Sequence, residues 1–258
     1  MQMEAFDTPA VGPPATATPA GHATRSAASC VDCHMRGLCL PAGLEGDEIA
    51  RLDAVILTRR RLRAQQRLCR EGDRFLCFYA VRSGTLRSSI RLRTGQDHVT
   101  GFHITGELMG LDGLADGRCA TTITALEDSE VCMIPYAELD HLMMAAPRLR
   151  HAIYSAMSRE IVAEHDLTAV MGSMQAEERV AAFLLNLSQR YARRGYSARE
   201  FNLRMTRAEI GSYLGLKLET ISRALSVFQQ QRLLEVDRRH ILIRDIEGLM
   251  RAVEHGVH

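Results

Sequence analysis

Residues 206–230 read TRAEIGSYLGLKLETISRALSVFQQ and carry the clearest structural pattern of the chain. Thr206, followed three residues later by Glu209, predicts a capping box at the start of a helix. Gly215 suits the left-handed turn that would end this helix, and the apolar spacing beyond it predicts a second helix from about Leu218 to Gln229. Helix, glycine turn and helix together are typical of a helix-turn-helix unit.

The second helix of this unit is predicted to expose a polar set near its N-terminal end. The set comprises Lys217, Glu219, Thr220, Ser222 and Arg223. In helix-turn-helix proteins this end enters the major groove of double-stranded DNA, where Arg223 can donate two hydrogen bonds to guanine and Glu219 can accept one from cytosine. An alternating hairpin follows, with Arg238 and Arg239 at its turn, and we expect it to form a wing. The alternative is a helical hairpin in which Glu219 and Arg223 form a surface salt bridge.

A long helix is predicted from Pro147 to about Met171, because apolar residues recur there at spacings of three, four or seven. A stripe this narrow often pairs with a copy of itself, so we expect a homodimer. The predicted interface residues are Ile153, Met157, Ile161, Glu164 and Met171. Two Glu164 carboxylates that face each other across a twofold axis would repel, which makes the dimer conditional. The alternative is that the stripe packs on the chain's own β-domain.

Short apolar stretches punctuated by glycine, from about Ile56 to Ile134, predict an antiparallel β-roll or barrel. Residues 1–29 are rich in Ala, Pro and Thr and lack the apolar core of a secretory signal, so we expect a disordered tail. The expected fold class is α+β. Its predicted parts are the tail at 1–29, a cysteine loop with a β-roll at 30–145, a dimerisation helix at 146–174, and a winged helix-turn-helix domain at 175–258.

The composition is that of a soluble globular protein, with 46% hydrophobic and 24% charged residues and a net charge of +1. No apolar run approaches the roughly 20 residues that span a bilayer, so we expect a cytoplasmic protein with no membrane partner. The sequence contains no glycine-rich phosphate loop, nucleophile elbow or metalloprotease helix, and we expect no enzyme activity. An iron–sulfur redox enzyme would need a substrate pocket that the sequence does not reveal.

Three of the seven cysteines, Cys30, Cys33 and Cys39, form a Cys-x2-Cys-x5-Cys cluster. In a reducing compartment such a cluster indicates a metal site rather than disulfides. A tetrahedral or cubane metal site takes four thiolates, and the spacing leaves the fourth ligand open. The candidates for this ligand are Cys69, Cys77, Cys119 and Cys132. Zinc also binds four cysteines, but the single CxxC pair favours an iron–sulfur cluster.

Several short motifs extend the pattern along the chain. They are Cys-x2-Cys-x5-Cys-x-Pro at 30–41, Arg82-Ser83-Gly84-Thr85, Gly101-Phe102-His103, Ala125-Leu126-Glu127, Val131-Cys132-x-Ile134-Pro135, Ala176-Glu177-Glu178-Arg179 and Glu219-Thr220-Ile221-Ser222-Arg223. In these motifs the chain, from Cys30 to its end, resembles the CRP/FNR family of transcription regulators, and specifically the FNR type.

The resemblance implies a [4Fe–4S] cluster, with Cys132 as the fourth ligand beside Cys30, Cys33 and Cys39. It implies that the intact cluster favours the dimer, that oxygen converts the cluster to a [2Fe–2S] form and so weakens DNA binding, and that the DNA site is similar to TTGAT-N4-ATCAA. Loops of the β-roll are expected to contact RNA polymerase. Two alternatives stay open: a zinc-stabilised regulator, and a cyclic-nucleotide regulator in which Arg118 pairs with the phosphate.

Overall fold

The computed structural model describes residues 30–40, 42–56 and 58–255. The predicted disordered tail at 1–29 lies outside these residues. The elements in chain order are α1 (Gly46–Val55), β1 (Thr58–Leu62), β2 (Arg67–Cys69), β3 (Cys77–Ser83), β4 (Thr85–Arg91), β5 (Asp97–Ile104), β6 (Leu108–Met109), a 3-10 turn (Leu111–Leu114), β7 (Thr122–Ala125), β8 (Ser129–Pro135), α2 (Tyr136–Ala145), α3 (Pro147–Ser173), α4 (Ala176–Ala192), β9 (Glu200–Asn202), α5 (Arg207–Leu214), α6 (Leu218–Gln230), β10 (Leu234–Asp237), β11 (His240–Ile243) and α7 (Ile246–His255).

Strands β1 to β8 form two four-stranded antiparallel sheets, with the orders β1-β8-β3-β6 and β2-β7-β4-β5. Apolar side chains from both sheets share one core, in which Val81, Leu86 and Ile123 are at most 2% exposed. Gly84 joins β3 to β4 with φ +90°, and a Cβ atom there would lie 2.2 Å from Ser129 Oγ. Only glycine fits this turn. The predicted antiparallel β-roll is confirmed.

The helix-turn-helix unit forms where the capping box and the glycine turn predict it. Thr206 caps α5 and exchanges the expected hydrogen bonds with Glu209, and Gly215 ends the helix with φ +65°. A Cβ atom at Gly211 would lie 2.5 Å from the carbonyl oxygen of Leu216, so the chain can turn back over α5 only at a glycine. Strand β9, which was not predicted, joins the hairpin to make the sheet β10-β11-β9. The predicted winged helix-turn-helix is confirmed.

The long helix α3 begins with Pro147 in its first turn and continues for 27 residues, roughly 40 Å. One face of its first half is buried against the protomer's own β-roll domain, where Leu149 and Ile153 pack beside Ile49 of α1 and are at most 2% exposed. Its second half is exposed, with Ile161 at 55%. No helix in the described part of the chain is long and apolar enough to cross a membrane.

Residues of strand β5 contact the C-terminal domain. Phe102 packs edge-on against the rings of Phe183 and Tyr213, with centroid separations of 6.0 and 5.3 Å. The backbone N–H of Val99 donates a hydrogen bond of 2.9 Å to Ser212 Oγ, at the middle of α5. The two domains therefore share apolar and polar contacts.

A carboxylate between two arginines fixes the same domain contact. Glu107, next to β6, accepts hydrogen bonds from Arg190 at 2.6 and 3.0 Å and from Arg194 at 2.7 Å, and both arginines come from the end of α4 or just beyond it. Burial alone would raise the pKa of Glu107, but the charges of Arg190 and Arg194 outweigh it and hold the pKa below its ordinary value. Burial and the neighbouring Arg190 lower the pKa of Arg194, yet a guanidinium stays protonated at neutral pH.

We predict that Glu107→Gln lowers the free energy of unfolding at pH 7 by about 1–3 kcal/mol, because it removes a charged acceptor from two arginines. The pKa of Glu107 is depressed in the folded protein, so this stabilisation is present above the carboxylate's ordinary pKa and is lost as the pH falls through the depressed value. Urea unfolding at a series of pH values measures it. The control is Glu235→Gln, whose pair with Arg244 is more than half exposed and should matter little. Equal effects from both variants would contradict the prediction.

Candidate DNA-reading helix and cysteine pocket

Helix α6 separates its side chains into a buried and an exposed face. The buried face consists of Ile221, Ala224, Leu225 and Phe228. In the predicted DNA-reading set, Thr220 is half-buried, and the exposed members are Lys217, Glu219, Ser222 and Arg223. No ion pair joins Glu219 to Arg223 in the described part of the chain, contrary to the salt-bridge alternative. The exposed end of α6 therefore offers donors and acceptors that are not used within the protomer.

Arg179 connects the long helix to this unit. Its guanidinium donates hydrogen bonds to the carbonyl oxygens of Met171 at 2.6 Å, Met174 at 2.9 Å and Leu214 at 3.2 Å. These oxygens belong to the ends of α3 and α5, where helix carbonyls lack partners and a cation is favourable. The sequence placed Arg179 in a motif but assigned it no role. In the structure, the Arg179 guanidinium links the C-terminal ends of α3 and α5 through hydrogen bonds.

The wing is also tied to the helix-turn-helix. Arg207, at the start of α5, donates a hydrogen bond of 3.1 Å to the carbonyl oxygen of Arg238 in the turn between β10 and β11. Arg238 and Arg239 are exposed at this turn. The arrangement places two cations at the tip of the wing, on a hairpin that is fixed to α5.

The four predicted cluster ligands line one pocket. Cys30, Cys33 and Cys39 lie on the loop before α1, and Cys132 lies on β8. The other residues that line this pocket are Met35, Arg36, Leu40, Ile56, Ala80, Val81, Arg82 and Ile134. The loop is held by tight turns, among them the hydrogen bond from Cys39 N–H to the carbonyl oxygen of Met35 at 3.0 Å. Two segments far apart in the sequence thus bring their thiols to the same place.

Burial makes these thiols weak acids. It raises the pKa of Cys39 to about 12 and that of Cys132 to about 11. At Cys132 the charge of Arg82 acts in the opposite direction and stabilises the thiolate. Burial, together with Asp53, also raises the pKa of Cys30. A metal that binds here must therefore displace protons, so we expect binding to be stronger at higher pH.

The donor set fits an iron–sulfur cluster better than a hard cation. Four thiols face a pocket whose other lining groups are mostly apolar, and no carboxylate lines it. Thiolates are the usual ligands of iron–sulfur clusters and of zinc. In the described residues no three His, Cys, Asp or Glu side chains already converge closely enough to hold a metal ion.

The remaining cysteines lie elsewhere. Cys69 and Cys119 are buried in the core between the two sheets, and Cys77 lies beside the same core at the start of β3. None of the three lines the cysteine pocket. Arg118, the residue of the cyclic-nucleotide alternative, is exposed and donates a hydrogen bond of 2.9 Å to the carbonyl oxygen of Gly72. It stabilises a surface loop of the β-roll.

The predicted dimer residues divide into two groups. Ile153 is buried in the protomer's own core and Met157 packs beside it, so for these two the alternative of packing on the chain's own domain describes their surroundings. Met171 approaches the turn at Gly215, where a Cβ atom on the glycine would lie 3.0 Å from the Cε of Met171. Ile161 and Glu164 are exposed on the second half of α3.

A β-roll, a long helix and a winged helix-turn-helix define a class of DNA-binding transcription regulators. Two family models match the chain in agreement with this: a cyclic nucleotide-binding domain at residues 59–146 and a Crp-like helix-turn-helix domain at 178–252. The solved structure of FixK2 from Bradyrhizobium japonicum superposes with a TM-score of 0.69 at 28% identity, and covers 75% of this chain and 96% of that one.

Curated relatives narrow the class. The transcriptional regulatory protein btr of Bordetella pertussis is 42% identical, over 88% of this chain and 94% of its own length. The fumarate and nitrate reduction regulatory protein of Escherichia coli K12 is 41% identical, over 88% and 90%. The anaerobic regulatory protein of Haemophilus influenzae is 42% identical, over 86% of each chain. The chain belongs to the CRP/FNR family, FNR type, and is a transcription regulator rather than an enzyme.

We predict that Arg179→Met lowers the free energy of unfolding by about 1–3 kcal/mol, because three carbonyl oxygens lose a charged donor. Chemical denaturation followed by circular dichroism measures the change. Arg193→Met is the control, since this exposed arginine lies just after the end of the same helix α4 and its side chain has no partner among the described residues. An Arg179→Met protein as stable as the control would refute the assigned role.

Proposed function

We propose that this chain is an oxygen-responsive regulator of anaerobic metabolism, in which Cys30, Cys33, Cys39 and Cys132 hold a [4Fe–4S] cluster. The observation that carries the proposal is the shared pocket, where a loop and a strand of the β-roll present four thiols and no carboxylate. When bound, the cluster would supply an oxygen-labile link between loop and strand, which oxygen converts to a [2Fe–2S] form. The division into parts at 30–145, 146–174 and 175–258 belongs to the same proposal.

Apolar packing links the cysteine pocket to the long helix. Leu40, which lines the pocket, lies in one buried cluster with Leu44, Leu149 and Ile153. Arg148 of α3 forms an exposed ion pair with Glu45, just before α1. A loop anchored by Cys30, Cys33 and Cys39 would therefore hold the first half of α3 in place, and a released loop would free it.

We propose that the exposed half of α3 pairs with a second copy of the chain. Ile161 and Val162, which are neighbours on this half of the helix, are each more than half exposed. Contiguous exposed apolar side chains often mark interaction surfaces. Glu164 lies beside them, and its charge opposes pairing across a twofold axis. The balance between apolar burial and this repulsion makes the dimer depend on how α3 is held.

A dimer would present two copies of α6 to successive major grooves of DNA. Lys217, Glu219, Thr220, Ser222 and Arg223 form the proposed reading set, directed to a twofold site similar to TTGAT-N4-ATCAA. A monomer engages only one half-site and loses the gain from bivalent binding. Exposed loops of the β-roll are the proposed contact with RNA polymerase.

We predict that Cys132→Ala protein prepared without air contains little iron and sulfide and lacks the visible absorbance of the wild-type protein, because one of four ligands is missing. Cys119→Ala is the control, since this thiol is buried between the sheets and should leave the cluster intact. Equal loss of iron from both variants would contradict the ligand assignment. A colourless wild-type protein with one bound zinc would favour the zinc-stabilised regulator instead.

We predict that Arg223→Gln reduces discrimination at the guanine of each TTGAT half-site, at a cost of about 1–3 kcal/mol. Binding of the wild-type and variant proteins to operators with each base at this position measures the effect. The control is Arg239→Gln at the wing tip, which should weaken binding to all operators alike and lower the salt dependence. A uniform loss for Arg223→Gln would make this residue a phosphate contact.

A further inference from the structure

Arg82, beside the cysteine pocket, carries a buried donor that no described residue uses. It lies near the end of β3, and its side chain is 26% exposed. Its Nε lies 3.2 Å from Glu130 on β8. Its Nη1 has no exposed surface and forms no hydrogen bond to any described residue.

A buried donor without an acceptor is costly, at about 1–3 kcal/mol and more for a charged group. Glu130 already occupies one side of the guanidinium, and the fork geometry directs its other N–H groups elsewhere. Besides Arg82, the pocket is lined by the four thiols, apolar side chains and a second arginine, Arg36, and no carboxylate is among the lining residues. The fold thus keeps a cationic donor at a place where no described residue supplies an acceptor for its Nη1.

An iron–sulfur cluster with four thiolate ligands would supply that acceptor. Hydrogen bonds to cluster or ligand sulfur and nearby positive charge favour the more reduced, more negative state of such groups. Arg82 and Cys132 line the same pocket, from the neighbouring strands β3 and β8, so the guanidinium lies beside a ligand sulfur.

We propose that Arg82 is a positioning residue of the cysteine pocket, which donates a hydrogen bond from Nη1 to a sulfur of the bound cluster or of Cys132 and so slows its oxidation. This inference rests on the proposed function, because it requires that the four cysteines hold a cluster. It assigns the Arg82-Ser83-Gly84-Thr85 motif a second role besides the turn at Gly84.

A purely structural role, through the ion pair with Glu130, is the competing explanation. Arg61 provides the matched control, because its Nε lies 3.6 Å from the same carboxylate. Its side chain is 86% exposed, and it does not line the pocket. Arg61→Met removes a cation from Glu130 and leaves the pocket unchanged.

The test compares wild-type, Arg82→Met, Arg82→Lys and Arg61→Met proteins, each reconstituted without air and analysed for iron and sulfide. Two readouts follow: the midpoint potential of the cluster by spectroelectrochemistry, and the rate at which visible absorbance bleaches in air-saturated buffer. For Arg82→Met we expect the visible absorbance to bleach about tenfold faster. We also expect a more negative midpoint potential; a shift of about 59 mV corresponds to a tenfold change in the equilibrium constant of a one-electron couple. Arg82→Lys should fall between Arg82→Met and the wild type, since it keeps the charge but not the fork.

Arg61→Met should match the wild type in both readouts. If Arg82→Met also matches it at equal iron content, the inference is overturned while the proposed function stands. If the wild-type protein binds no iron, both fall. Should Arg82→Met fail to fold by circular dichroism, Arg82→Lys decides: unchanged potential and bleaching rate would overturn the inference, and a shift in the predicted direction would support it.

Discussion

One apolar cluster couples the cysteine loop to the long helix α3. Leu40 and Leu44 follow the loop directly and pack with Leu149 and Ile153, and all four side chains are at most 6% exposed. Burial of each such side chain is worth about 1.5–3 kcal/mol. The position of α3 therefore depends on packing against residues next to the thiols. A structural change at the pocket can reach α3 through this packing.

Two polar contacts extend this route to the DNA-reading helix. Arg179 joins the end of α3 to the end of α5 through three carbonyl oxygens, and Glu107 joins the β-roll to Arg190 and Arg194 at the end of α4. These contacts lie near the two ends of α4, one reaching α3 and the other the β-roll, so a shift of α3 relative to the β-roll would act on the C-terminal domain. Communication of this kind needs packed elements with alternative arrangements rather than a flexible linker.

Local patterns made much of the fold predictable. The capping box at Thr206, the left-handed Gly215 and the alternating hairpin each act over a few residues, so the sequence was enough to place the winged helix-turn-helix. The facing of α3 was not predictable, because one apolar stripe suits a partner helix or the chain's own core equally well. In the structure, Ile153 is buried in the core of its own protomer. The pairing of Glu107 with Arg190 and the unused donor of Arg82 depend on contacts between distant segments, which no spacing reveals.

The most direct test of the central claim measures iron, sulfide and oligomeric state in wild-type protein prepared under strict anoxia, and then operator affinity before and after exposure to air. An anoxic protein with about four irons and four sulfides per chain, which dimerises and binds its operator and then loses both properties in air, is the predicted result. Protein that contains no iron and binds the operator equally well with and without air would contradict it.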